Sequence, residues 1–216
     1  MEQNINSLTS VLEKYSDRIG IHLHPDQVKQ FMIYLEQLQI WNRSVNLTSI
    51  TVTEEIIVKH FIDSLAGLTA EQIPHGVRLL DIGTGAGFPG IPLKIARQDL
   101  NITLMEPVQK KISFLYSIVG LLRLENVAIF YGTLDQFIAK GDQDARFDYI
   151  TTRALKYESI LRRGSRLLAA GGKAIIYSSC SIKPLDLGTG WSMNREHEFD
   201  LPMGFGHRVV SVLSST

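Results

Sequence analysis

Residues Leu79 to Pro92 read LLDIGTGAGFPGIP, and the reading of the whole chain turns on them. An apolar run ends in a carboxylate, Asp81, and glycines follow at Gly83, Gly85, Gly87 and Gly90. An apolar run without polar alternation is the mark of a strand buried on both faces, as in a parallel sheet. A glycine-rich turn directly behind such a strand lets a ligand come close to the backbone. The stretch therefore predicts both a sheet and a binding site at the carboxyl end of its first strand.

Downstream, NITLME, NVAIFYG, FDYITT and GGKAIIYSS read as four more strands. Helices are expected from about Gly90 and in VQKKISFLYSIVGLLRL, LDQFIAK and YESILRRGSRLLAA, between the strands. Such alternation builds parallel βαβ units and a doubly wound α/β sheet of the Rossmann-like kind. The tail, EHEFDLP, MGFG and HRVVSVLS, reads as two strands around a turn, an antiparallel pair added to one edge. Upstream, Val28, Phe31, Met32, Leu35, Leu38 and Trp41 fall at helical spacing. A second helix is expected near Thr51, with Thr51 and Glu54 as a capping box. Its apolar face would carry Ile57, Phe61, Leu65 and Leu68. The expected organisation is a helical extension over residues 1–75 packed on an α/β domain over 76–216, one structural unit overall.

The 216 residues carry 22 basic and 22 acidic side chains, so any positive charge meeting a nucleic acid must be local. The single cysteine, Cys180, excludes an intrachain disulfide and a cysteine zinc site. His60, Asp63 and Ser64 fall at i, i+3 and i+4 on one helix face, too few ligands for a metal. No apolar run approaches a membrane span, and the N-terminus lacks the pattern of a signal peptide, so a cytoplasmic protein is expected.

Gly85, Gly87 and Gly90 alone match the spacing of a dinucleotide site, but Asp81 would repel a pyrophosphate. An ammonium and a sulfonium would be attracted, and S-adenosylmethionine carries both. The order D-x-G-x-G-x-G after the first strand is that of methyltransferases using it. The alternative is that Asp81 merely caps a loop or helix. Glu106 ends the second strand, where an acid commonly accepts ribose hydroxyls. Asp135 follows the third strand and could accept from an adenine amino group, with the Leu134 backbone alongside; alternatively, Thr133 or Asp135 starts the next helix. Phe88, inside the loop, packs either on the ligand or in the core.

Together, WNRSVNLTSI, VKHFIDSL, LLDIGTGAGFPGIPLKIA, PVQKKISFL and FDYITTRAL resemble the glucose-inhibited division protein B family. Its members are bacterial methyltransferases of guanine N7 in 16S ribosomal RNA. The resemblance spans roughly residues 25–178, and its most specific marks are the Phe-Pro-Gly end of the glycine loop and K-H-x-x-D-S from Lys59 to Ser64. It implies S-adenosylmethionine as cofactor and 16S ribosomal RNA, or the small ribosomal subunit, as partner. It carries cofactor positions onto Gly83, Phe88, Leu134, Asp135 and Arg153. It also implies that His60, Asp63 and Ser64, with Asn46 and Thr48, frame the active site. Lys110 and Lys111 match a basic pair that could touch RNA phosphate, a contact that positions without specifying. Arg153 opens a basic stretch with Lys156, Arg162, Arg163 and Arg166, and could meet the methionine carboxylate or an RNA phosphate. Guanine N7 has an in-plane lone pair, so no general base is assigned; alignment in a water-poor pocket is expected to carry the reaction.

After residue 176 the resemblance weakens. The family usually has Lys-Gly near the end of the fifth strand, and this chain reads YSSCSIKP. That segment resembles the one bearing the nucleophilic cysteine of RNA cytosine-C5 methyltransferases, which makes Cys180 the candidate thiolate of a rival reading. The Pro-Cys that those enzymes carry after strand four is TTRAL here. A non-catalytic ribosome-assembly factor that keeps the cofactor site is a second rival. An NAD-linked oxidoreductase is disfavoured by Asp81.

Overall fold

The computed structural model describes residues 2–140, 146–153, 157–183, 187 and 190–215. Five parallel strands follow the expected order: β1 Arg78–Ile82, β2 Asn101–Glu106, β3 Val127–Tyr131, β4 Phe147–Thr152 and β5 Leu168–Ser178. Two more, β6 Trp191–Asp200 and β7 His207–Ser215, form the antiparallel pair. The seven-stranded sheet has the order β3-β2-β1-β4-β5-β7-β6. The strand order reverses between β1 and β4, and an open α/β sheet binds ligands at the carboxyl ends of the strands at such a point. β7 inserts antiparallel between β5 and β6, pairing Ser178 with Val209. Arg208, one residue before Val209, is thereby brought level with the end of β5.

The connecting helices are α6 Gly90–Ala96, α7 Gln109–Leu121, α8 Leu134–Ala139 and α9 Tyr157–Gly164. The expected helix through Ala170 is shorter than the sequence pattern suggested. It ends at Gly164, a 3-10 turn covers Ser165–Leu167, and β5 already begins at Leu168. The cause is pairing: Leu168 lies opposite Phe147 of β4, across an irregularity in that ladder. Of the basic stretch, Lys156 lies outside the described residues.

Before the sheet come α1 Glu2–Arg18 and α2 Pro25–Val45, then α3 Thr53–Ile56, a π-helical turn Ile57–Ile62, α4 Asp63–Leu65 and α5 Gly67–Ala70. The capping box at Thr51 and Glu54 does not form. Val52 is the N-cap and gives no side-chain hydrogen bond, while Thr53 Oγ1 accepts from Gln39 Nε2 of α2 at 3.0 Å. Packing against α2, rather than a local cap, sets the start of this helix. The π turn was not visible in the spacing. It is closed by the amide of Asp63, which reaches back five residues to the Val58 carbonyl.

These helices share one core with the sheet. Leu12, Phe31, Tyr34 and Phe61 cluster with Leu79, Leu93, Leu104 and Phe114, all fully buried. Tyr34 is the pivot. Its ring stacks on Phe61 at 5.3 Å and on Phe88 at 5.4 Å, and its hydroxyl donates to the Ala86 carbonyl at 2.5 Å. Burying one such ring contributes about 2–3 kcal/mol, so α2 clamps the glycine loop from behind. Gln27 adds to the clamp by donating to the Ile95 and Ala96 carbonyls at the end of α6, at 2.9 and 3.0 Å.

Candidate active site

The glycine loop is braced by two buried carboxylates. Asp81 Oδ2 accepts from Thr84 Oγ1 at 2.6 Å and from the amide of Gly90, the first residue of α6, at 2.8 Å. Glu106 Oε2 accepts from the Gly85 amide at 2.9 Å, and its Oε1 from the Val108 amide at 3.0 Å. Asp81 thus does cap the loop and helix, the alternative set against cofactor binding in the sequence. It also keeps something in reserve, because its Oδ1 is buried without a hydrogen-bond partner. Burial pushes the Asp81 carboxyl up to about 6, against the pull of Thr84, Gly90 and the Arg153 charge.

The four glycines divide by task. Gly83 has φ +71°, is exposed, and has open space where a side chain would stand, as has Gly85. These two leave backbone accessible at the end of β1. Gly87 and Gly90 serve packing instead. A Cβ at Gly87 would fall 2.8 Å from the Tyr34 hydroxyl oxygen. At Gly90 it would fall 2.5 Å from Leu104 and 2.8 Å from Asp81 Oδ2.

Arg153, just past β4, ties this loop to the K-H-x-x-D-S segment. Its Nη1 donates to the Lys59 carbonyl at 3.1 Å and to Asp63 Oδ2 at 3.2 Å. Its Nη2 lies 2.9 Å from His60 Nδ1, and its guanidinium sits over the Phe88 ring at 5.1 Å. An arginine always donates, so His60 Nδ1 is the acceptor and Nε2 bears the proton, which it gives to Thr48 Oγ1 at 2.8 Å. Burial and the charge of Arg153 lower the His60 pKa to about 3, which keeps the ring neutral. Ser64 turns inward and donates to the His60 carbonyl at 2.5 Å. The motif is a buried polar network around Arg153.

Phe88 is a core residue here, 5% exposed and stacked on His60 at 4.4 Å. Leu134 and Asp135 open α8 beyond β3. Thr133 provides the cap by accepting from the Gln136 amide, and Asp135 is exposed and paired with Arg163. Lys110 and Lys111 lie in the first turn of α7, with Lys110 exposed. The structure thus joins Asp81, Gly83, Gly85 and Glu106 around one loop, and Phe88, His60 and Arg153 in one stack. Asp135 pairs instead with Arg163 of α9, and Lys110, Lys111 and Leu134, in the first turns of α7 and α8, belong to neither group.

Beside the stack, at the ends of β4 and β5, lies a cavity of about 650 Å³ whose walls include Lys59, His60, Asp63, Arg153, Tyr177 and Arg208. Cys180, exposed, stands at its rim with Ser178, whose hydroxyl donates to the Cys180 carbonyl. Arg208 and Phe205 were not singled out in the sequence. Arg208 Nε lies 3.6 Å from Asp63 Oδ1, and Lys59 Nζ lies 4.7 Å from the Phe205 ring centroid. Only the antiparallel return of β7 brings them here, and no local motif records it. Among the described residues no cluster of three or more histidine, cysteine, aspartate or glutamate side chains suits a metal ion. Nor is any helix among them long and apolar enough to cross a membrane.

The chain is similar to known proteins in sequence and in fold. The model of the rRNA small subunit methyltransferase G family matches residues 27–183. The Ribosomal RNA small subunit methyltransferase G of Desulfitobacterium hafniense is 43% identical over 207 residues, covering 92% of this chain and 85% of that protein. The protein of the same name from Lachnoclostridium phytofermentans is 43% identical over 165 residues, covering 76% and 68%. Against another such relative, from Clostridium perfringens, the match spans 63% of that protein's length. Among solved structures, MtNAS in complex with MTA and tNA shares the fold, with a TM-score of 0.61 at 15% identity over 86% of this chain and 74% of that one. With the family model matching most of its length and relatives well above 30% identity, the chain belongs to the rRNA small subunit methyltransferase G family.

Proposed function

We propose that this protein transfers a methyl group from S-adenosylmethionine to guanine N7 in 16S ribosomal RNA, acting on the small ribosomal subunit or its RNA in the cytoplasm. The observation that carries the reading is the open backbone at Gly83 and Gly85 between two buried carboxylates, one with an unpartnered oxygen. That chemistry fits the cofactor: Asp81 Oδ1 faces the attraction of an ammonium group, and Glu106 retains lone pairs for hydroxyl donors. When bound, the cofactor supplies an electrophilic methyl on a sulfonium.

The residues of the chain supply position. Asp81 and Glu106 hold the loop in the one shape that leaves Gly83 and Gly85 bare. Phe88, stacked between Tyr34 and His60, fixes that loop relative to the N-terminal helices. Arg153 then fixes it relative to the adjoining cavity, where the acceptor base would sit. N7 attacks through its own lone pair, so the site needs no side chain to remove a proton and no thiolate. A neutral His60 suits that requirement, since it offers no competing charge at the cavity wall. The catalytic contribution is alignment and exclusion of water. An in-plane nitrogen reaches such a pocket only when its base is unstacked or already exposed.

The test is transfer from radiolabelled S-adenosylmethionine to small subunits lacking the modification, with the labelled nucleoside identified by mass. Label in 7-methylguanosine supports the reading. Label in 5-methylcytidine that disappears in Cys180→Ala, or cofactor binding without any transfer, would overturn it.

A further inference from the structure

The acceptor side of the site contains one buried acid with an oxygen still free. Asp63 is 3% exposed, yet it lines the cavity at the ends of β4 and β5. Its Oδ2 is taken by Arg153 at 3.2 Å. Its Oδ1 is buried with no hydrogen-bond partner, and Arg208 Nε stands off at 3.6 Å. A buried carboxylate oxygen left without a donor is costly, and in a native structure it calls for an explanation. Charge alone does not supply one. Burial raises the Asp63 carboxyl, and Arg153 and Arg208, one at each oxygen, oppose that shift and hold the side chain in place.

The rest of the wall defines what would enter. Lys59, Arg153 and Arg208 are cationic, Tyr177 is aromatic, and His60 is neutral, so Asp63 is the one acid among these six wall residues. Such a wall favours a flat ring carrying phosphate outside and hydrogen-bond donors on the edge that meets the acid. Of the common bases, guanine presents two adjacent donors, N1–H and the 2-amino group, on the edge opposite N7. Adenine presents an acceptor at N1, which a carboxylate repels. Extruded bases are read in this way, by hydrogen bonds to their Watson–Crick edge.

We propose that Asp63 is the specificity residue of the acceptor pocket: its free Oδ1 accepts from the N1–H and 2-amino edge of the target guanine, which turns N7 toward the glycine loop. Arg208, brought in by the C-terminal hairpin, holds that carboxylate from the side opposite Arg153. The proposal rests on the reading of the protein as a guanine-N7 methyltransferase and adds the residue that selects the base.

The experiment uses the full chain and small subunits reconstituted with 16S RNA bearing either guanosine or inosine at the methylated position. Inosine keeps N7 and N1–H but lacks the 2-amino group. For the wild type, kcat/KM on the guanosine substrate is expected to exceed that on inosine about ten-fold, the discrimination of one good base contact. In Asp63→Asn that ratio is expected to collapse toward one, while the dissociation constant for S-adenosylmethionine stays within about two-fold. A merely structural role would lower both rates together and leave the ratio unchanged. A wild-type ratio of one, or an unchanged ratio in Asp63→Asn, would overturn the proposal while the methyltransferase reading stands. A labelled product other than 7-methylguanosine from the wild type would overturn both. Should Asp63→Asn fail to fold, Asp63→Glu keeps the charge that both arginines require and moves the oxygen by one methylene; it too is expected to lose the ratio, and a ratio retained in it would count against the proposal.

Discussion

The ring of His60 lies 4.4 Å from that of Phe88, tilted by only 15°. One residue belongs to the N-terminal helical segment and the other to the loop behind β1. Their contact, with the Arg153 guanidinium over the same phenyl ring, makes one unit of the two most specific motifs in the chain. The glycine loop is therefore not a free cradle. Its position is set by residues before the sheet as much as by the sheet itself.

Asp81→Ala is expected to weaken cofactor binding and the fold together. The substitution strands the Gly90 amide and the Thr84 hydroxyl in a buried site, at a cost of roughly 2–4 kcal/mol. The two hydrogen bonds to Oδ2 are what make the fold sensitive to this substitution. Thermal melts beside calorimetric titration with S-adenosylmethionine separate the effects. An unchanged melting temperature would contradict the bracing role.

Cofactor affinity is expected to fall on acidification. The folded Asp81 carboxyl titrates at about 6, above its ordinary 3.8, because burial disfavours the charge. The charged neighbours are Arg153, which opposes that shift, and Glu106, which adds to it. Below about 6 the group is neutral and no longer attracts an ammonium. Binding measured at pH 5 and pH 7 should differ for the wild type and hardly at all for Asp81→Asn.

Stability is expected to drop below pH 6.5 chiefly through His60. Its folded pKa of about 3 lies under the ordinary 6.5, so between these values the unfolded chain binds the extra proton and the fold loses stability as pH falls. Asp81 acts with the opposite sign between 3.8 and about 6, since there the folded state holds the proton. Where the two windows overlap they offset each other, so the histidine is unopposed by Asp81 between about 6 and its ordinary 6.5. Denaturant melts at pH 7 and pH 5 should show a smaller difference in His60→Gln than in the wild type.

The two kinds of glycine should separate in mutants. Gly90→Ala drives a methyl into Leu104 and Asp81 and should cost about 1–3 kcal/mol. Gly83→Ala meets no atom within 4 Å, so it should cost only the strain of a positive φ, about 1 kcal/mol, while placing a methyl where the cofactor would lie. The first should lower the melting temperature most, and the second should raise the dissociation constant most. The reverse order would refute the division.

Much of this architecture was legible because the parallel strands are nearly continuous apolar runs. Asp81, the glycines and Glu106 were legible for the same reason: they sit at strand ends, where position implies use. What was not legible came from long-range pairing. Arg208 reaches the cavity only because β7 returns antiparallel beside β5, and the helix expected near Thr51 starts at Thr53, whose hydroxyl accepts from Gln39 of α2. Asp135 illustrates a third case, since its ion pair with Arg163 joins two elements whose spacing carries no signal.

The π turn over Ile57–Ile62 holds one residue more than a regular helix would need. Removing a residue there would restore ordinary helical bonding and rotate everything beyond it by about 100°. Asp63 and Ser64 would swing away from Arg153, although every side chain of the motif remained in the chain. The length of this segment is thus as binding a constraint as its composition: grafts and chimaeras that splice within it must preserve the count to the residue, and a regularised helix, locally the better one, would disconnect the two halves of the site.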